Sequence, residues 1–90
     1  MFTVGQVAEA VGVQAAFLRR LDTFDIVSPA RSAGDQRRYS RHDISRIQEA
    51  VGLIDEGLTL SGVHRVFELQ AEVDALKAEV RRLRKLTREK

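Results

Sequence analysis

"TVGQVAEAVGVQAAFLRRLDTF", residues 3 to 24, is the stretch on which the fold turns. Thr3 with Gln6 three places later forms a capping box, in which each side chain satisfies a backbone donor that a helix start leaves free. Val4, Val7, Ala8 and Val11 recur at helical spacing, and Gly12 ends the run by taking a left-handed conformation at little cost. A second helix begins at once, with Val13, Phe17, Leu18, Leu21 and Phe24 as its apolar positions. Two short helices joined by a tight glycine-containing turn are a helix-turn-helix signal. Many all-helical cores open in the same way, so the following residues must decide between the two.

Those residues, "DIVSPARSAGDQRRYS" (25–40), are not helical. Ile26 and Val27 favour a strand, Ser28 and Pro29 break it, and Ala33-Gly34-Asp35 turn the chain back toward Arg38 and Tyr39. The pattern predicts a small β-hairpin, or wing. Arg37 and Arg38 alternate sides of its second strand, one toward the domain and one outward. Arginine forks and tyrosine hydroxyls are donors to phosphate oxygens, which makes Arg37, Arg38 and Tyr39 candidate contacts to a nucleic-acid backbone. Ser40 and Asp43 form a second capping box and open a third helix, with Ile44, Ile47, Val51 and Ile54 on one face and Gly57 at its end.

The last segment differs in kind. Val66, Leu69, Val73, Leu76, Val80 and Leu83 alternate steps of three and four, with valine at a and leucine at d, the pattern of a two-stranded coiled coil. A stripe this narrow favours a partner helix over folding back on the same domain. We expect a winged unit over residues 1–60 and a dimerisation helix over 61–90, in a mostly α-helical chain.

Charge supports this division. The net formal charge is only +2, yet residues 14–46 hold seven arginines against four aspartates, residues 47–61 hold three acids and no base, and "RRLRKLTREK" at the end is strongly basic. A basic middle suits a polyanion partner. With no cysteine there is no disulfide, thiol redox site or thiolate-bound metal. His42 and His64 have no third partner, Asp55 and Glu56 diverge as helix neighbours, and Ser40 and Ser61 read as helix caps. Neither a nucleophile elbow nor a phosphate-binding glycine loop occurs. We therefore expect no enzyme, no cofactor and no metal. No apolar run approaches the ~18 residues of a membrane span, and no secretion signal opens the chain, so a cytoplasmic protein is expected.

The order of helix-turn-helix, hairpin with "RRYS", "DISRI" helix, glycine-ended loop and dimerising helix resembles the MerR-type family of bacterial transcription regulators over essentially the whole chain. "SPARSAGDQRRYS" and "GLTLSGVHRVFELQAEVDAL" are most similar to its heat-shock repressor branch. The resemblance implies that helix two enters the major groove, that the wing touches flanking phosphates, and that two protomers join through antiparallel C-terminal helices. Carried onto this chain, it marks Arg19 in helix two and Arg37, Arg38 and Tyr39 in the wing. Gln14, Phe17, Arg20 and Arg31 complete the DNA-binding set.

Departures from the family pattern are Leu21 for an aromatic residue, Asp25 for a glycine, Ala16 for an arginine or glutamine, and Phe17 for a threonine. They imply a different sequence preference. The expected function is a dimeric repressor at an inverted repeat of double-stranded DNA. The alternatives are an excisionase-like or architectural DNA binder and a plain coiled-coil interaction protein. We expect no small-molecule effector domain and, for any signal, a co-regulator protein. Helix direction is divided on charge alone. Glu72 and Glu79 at g face Lys77 and Arg84 at e in a parallel pair, whereas an antiparallel pair sets the acidic stretch 66–79 against the basic stretch 80–90. The resemblance selects antiparallel.

Overall fold

The computed structural model describes residues 1–88. Its elements run α1 (Val4–Val11), α2 (Ala15–Thr23), β1 (Ala30–Arg31), β2 (Arg37–Arg38), α3 (Arg41–Asp55) and α4 (Leu60–Arg88). Both capping boxes form as the sequence predicts. Gln6 N–H donates to Thr3 Oγ1 at 3.2 Å while Thr3 N–H donates to Gln6 Oε1 at 2.9 Å, and Ser40 and Asp43 exchange the same pair of bonds at 3.0 and 2.8 Å.

Helices α1, α2 and α3 end on one motif, a left-handed residue followed by an amide that reaches back five positions. Val13 N–H donates to Ala8 at 3.0 Å, Ile26 N–H to Leu21 at 2.8 Å and Leu58 N–H to Leu53 at 3.1 Å. Gly12 (φ 79°) and Gly57 (φ 102°) fill the left-handed position cheaply; Asp25 (φ 57°) fills it after α2. Aspartate tolerates this region because its short side chain bonds locally, and Asp25 Oδ1 accepts from Ser28 Oγ at 3.0 Å.

The core gathers Val7, Leu18, Leu21, Ile26, Val27, Tyr39, Ile47, Ala50, Leu60, Val63 and Phe67. Ile26 and Val27 are thus buried, but in a bend and not in a strand. Once α2 has closed on Leu21, both side chains turn inward beneath it, and pairing starts only after Pro29, which has no N–H to give a ladder. The hairpin is correspondingly short. Ala30 pairs with Arg38 and Arg31 with Arg37. Beyond it Tyr39 bridges to Phe2, the two exchanging backbone bonds of 2.8 Å each.

α4 is 29 residues long, about 43 Å at ~1.5 Å per residue. Thr59 caps it, accepting from Gly62 N–H at 3.1 Å on its hydroxyl, so the cap is Thr59 and not Ser61. Its first two turns bury Leu60, Val63 and Phe67 in the core, and the Arg46 guanidinium lies 4.6 Å from the centre of the Phe67 ring. The globule therefore draws on chain beyond residue 60. From Glu68 to Arg88 every residue is exposed. Glu89 and Lys90, which complete the basic end read from the sequence, lie outside the described residues.

Candidate nucleic-acid interface

Successive side chains of α2 are rotated by about 100°. With Leu18 and Leu21 fully buried, the opposite face carries Ala16, Arg19, Arg20 and Thr23. Arg19 and Arg20 stand exposed on either side of that face. Gln14 is the N-cap residue, but its side chain makes no capping bond and is exposed, so the amide is free to meet a ligand. Phe17 sits on the flank. It is half-buried against the core and lines an open apolar hollow with Phe24, Ile54, Leu58 and Leu60. Its ring faces α3 and the start of α4, away from the Arg19 side.

The wing stands on the other flank. Its turn is held by Ser32 N–H donating to the Gln36 carbonyl at 2.8 Å and by Asp35 N–H donating to the Ser32 carbonyl at 2.9 Å, with Asp35 left-handed at φ 62°. Arg31 and Arg37 are directly opposed across the ladder, where like charges repel. Asp22 of α2 lies between them. Its Oδ2 accepts from Arg37 Nε at 2.7 Å and from Arg31 Nη2 at 3.1 Å. Arg38 points elsewhere, donating to the Arg37 carbonyl at 3.0 Å and to Gln36 Oε1 at 3.3 Å, both within the wing. Both neighbours are half-buried, but their bonding differs: Arg37 is tied to α2 through Asp22, and the hydrogen bonds of Arg38 lie within the wing.

Tyr39 requires a correction. The sequence reading placed its hydroxyl at a phosphate, but the residue is 1 % exposed, and its buried hydroxyl has no hydrogen-bond partner among the described residues. The backbone pairing with Phe2 turns the ring inward, where it is the largest fully buried side chain. Burial pushes the phenol above its usual range near 10, against a smaller opposing pull from Arg37.

The candidates that remain accessible are thus Gln14, Arg19 and Arg20 on α2 and Arg31, Arg37 and Arg38 on the wing beside it. The residue that reading the sequence missed is Asp22. Its partners are nine and fifteen residues away. The one local signal was that Asp22 follows Arg19 by three places, on the helix flank nearest the wing.

Along α4, Leu69 is 42 % exposed, Val73 47 %, Leu76 65 %, Val80 44 % and Leu83 49 %, an unpartnered apolar stripe. Val66, at its start, is half-buried against the protomer's own core. No cluster of metal-ligating side chains occurs among the described residues, and none of their helices is long and apolar enough to cross a membrane.

Comparison with known proteins gives a consistent picture. The family described as "MerR HTH family regulatory protein" matches residues 2–70. The heat shock protein HspR of Streptomyces coelicolor is 36 % identical over 84 residues, covering 92 % of this chain and 56 % of HspR. The chain therefore spans little more than half of that relative's length. The HTH-type transcriptional regulator GlnR of Bacillus anthracis is 30 % identical over 88 residues, covering 94 % of this chain and 68 % of GlnR. Among solved structures, the N-terminal part of the Bacillus subtilis multidrug transporter activator MtaN superposes with TM-score 0.68 at 24 % identity, covering 98 % of this chain and 92 % of that one. HiNmlR, a MerR family regulator lacking the sensor domain and bound to promoter DNA, superposes with TM-score 0.67 at 23 % identity, covering 94 % and 82 %. At these identities the two structures speak for the fold.

Proposed function

This chain belongs to the MerR helix-turn-helix family of regulators, and from that premise we propose that it is a dimeric repressor that binds an inverted repeat in double-stranded DNA and occludes a promoter. The observation that carries the reading is the placement of Arg19 and Arg20 on the outward face of α2 beside a wing bearing Arg31, Arg37 and Arg38. A helix of this width fits the major groove, and cations on a flanking hairpin fit the phosphates on either side. The structure of HiNmlR on promoter DNA supports the assignment by likeness of fold.

In this reading residues 1–60 form the winged unit and the segment 61–90 carries dimerisation, with the first two turns of α4 also completing the winged unit's core. The exposed stripe from Leu69 to Leu83 pairs with that of a second copy, antiparallel, so each acidic half of α4 meets its partner's basic half.

The test uses a duplex enriched from a randomised pool by the protein itself, and a scrambled duplex of equal length. Fluorescence anisotropy across a salt series should give a steep fall of affinity with salt, because each neutralised phosphate releases counterions. The enriched duplex should bind more tightly throughout. Arg19→Ala should cost ~1–3 kcal/mol and relax preference at one base pair if Arg19 reads a base, or cost all duplexes alike if it holds phosphate. Run-off transcription from a promoter carrying the enriched site should fall on adding the protein. Equal affinity for both duplexes with strong bending would favour the architectural alternative, and absence of binding would leave only a coiled-coil interaction protein.

A further inference from the structure

We propose that Asp22 is a positioning residue for DNA binding: its carboxylate locks the wing to helix α2 and so fixes the geometry between the groups that meet the groove and those that meet the phosphates. The inference rests on the DNA-binding reading above and goes beyond it by assigning a role to Asp22, the acid that bridges two of the wing arginines. The wing needs such an anchor because its ladder is two residues on each side. An isolated hairpin of even ordinary length is marginal in water. One end of this one is held by the Phe2–Tyr39 bridge. The other end is held by Asp22, whose side chain is 16 % exposed and receives Arg37 Nε at 2.7 Å and Arg31 Nη2 at 3.1 Å on a single oxygen.

The donors left over point to the same role. Arg37 spends only its Nε on Asp22, so both of its Nη groups remain for a phosphate. Arg31 keeps one nitrogen on the Asp35 carbonyl at 3.4 Å, at the upper limit of a hydrogen bond. The Arg37 side chain is 21 % exposed, so it is already ordered in the free protein, and that ordering need not be met on binding. One negative charge against two positive ones leaves the pair net cationic.

Charge alone and positioning predict opposite signs. Removing an acid from a surface that faces a polyanion strengthens binding if Asp22 acts only through its charge. If it positions the wing, selectivity falls although the protein has become more basic. Asp22→Ala and Asp22→Asn carry equal charge but differ in one respect, since the asparagine carbonyl can still accept from Arg37.

The enriched and scrambled duplexes described above serve as probes, with thermal melting of each variant alongside. Asp22→Ala should bind the enriched duplex about tenfold more weakly, the scale of one displaced charge-assisted contact, while binding the scrambled duplex as tightly as wild type or more so. Asp22→Asn should recover part of the loss. In an Arg37→Ala background the Asp22→Ala change should add little. In the free protein, the Arg37 Nε–H resonance should lose its exchange protection in Asp22→Ala. Tighter binding of both duplexes by both variants would overturn the proposal, as would equal losses on both duplexes with a collapsed melting temperature. If wild type enriches no duplex at all, the DNA-binding reading falls and this inference falls with it. If wild type is selective and Asp22→Ala is equally selective, only the role of Asp22 is refuted.

Discussion

Leu76 lies at the middle of the exposed stripe, and shortening it tests the dimer directly. The side chain is 65 % exposed in the protomer, the largest exposure in the stripe. Fully burying a leucine is worth about 1.5–3 kcal/mol, so covering the exposed two-thirds is worth about 1–2 kcal/mol in each copy. Both copies change at once in a symmetric pair. Leu76→Ala should therefore weaken dimerisation by about 2–4 kcal/mol, roughly a 30- to 1,000-fold rise in the dimer dissociation constant. A residual cavity at the seam pushes the loss toward the upper figure. Leu76→Asp should go further and yield a monomer, because it would set a carboxylate in an apolar seam.

Sedimentation equilibrium over a concentration series measures this, with Ala78→Asp as the control. Ala78 is exposed and stands at the heptad position farthest from the seam, so its variant should associate as wild type does. Melting of the winged unit should hardly move, since Leu76 lies nine residues beyond Phe67, the last buried residue of α4. Unchanged association of Leu76→Asp would refute the reasoning and send the stripe to another occupant.

Further outcomes follow from the same geometry. With Leu76 at the crossing point, an antiparallel pair holds the two copies of residue 88 about 36 Å apart at ~1.5 Å per residue, so spin labels there should report a long distance, whereas a short one means a parallel pair. Arg38, bonded only within the wing, should act as a plain phosphate cation: Arg38→Ala should weaken enriched and scrambled duplexes alike and lower the salt slope by about one charge. Arg37→Ala should cost selectivity as well; equal profiles for the two variants would contradict their different bonding. Tyr39→Phe removes a buried hydroxyl that has no partner among the described residues, so stability should hold or rise by up to about 1 kcal/mol, with DNA affinity unchanged. A loss of affinity would return the hydroxyl to the interface. Because Tyr39 is the one tyrosine, the phenolate absorbance of wild type titrates it alone, and the midpoint should lie above the usual value near 10. A folded pKa raised by burial means that this residue's contribution to stability is whole below about pH 10 and is lost as pH rises through the folded value.

The parts legible in the sequence are those fixed by neighbours. Thr3 with Gln6, Ser40 with Asp43, and glycines 12 and 57 each work through residues within five places, so their spacing sufficed. The narrow stripe on α4 was visible for the same reason. What was not legible depended on the fold closing. Ile26 and Val27 have the β-branched shape of strand residues, but the same shape suits a buried bend, and only the position of Leu21 above them decides. Tyr39 could face either way on the alternation of a strand, and its direction was set by Phe2, thirty-seven residues earlier. Asp25 looked like a loss where the family has glycine, yet it takes the left-handed conformation itself. Asp22 carried little signal of its own, because its partners Arg31 and Arg37 arrive from the hairpin only once the fold closes.

One consequence of α4 serving two cores can be tested by separating them. Leu60, Val63 and Phe67 fix the helix to its own winged unit, and the exposed stripe from Leu69 to Leu83 would meet the partner in the proposed dimer. A single alanine inserted between Glu68 and Leu69 leaves both sets intact but turns one against the other by about 100°. Each half keeps what it needs to fold or to pair, so melting and the dimer dissociation constant should stay close to wild type. The two recognition helices would no longer present to one side of a duplex, because the angle between dimer axis and DNA-binding face is carried by this one continuous helix. Affinity for an enriched inverted repeat should fall to that of a single half-site. Inserting a full heptad turns the stripe back to within about 20° of its original face and should recover binding to repeats with wider spacing. If the single-residue insertion binds the original repeat as tightly as wild type, α4 does not act as a rigid link, and the geometry of the two half-sites must be set by contacts other than this helix.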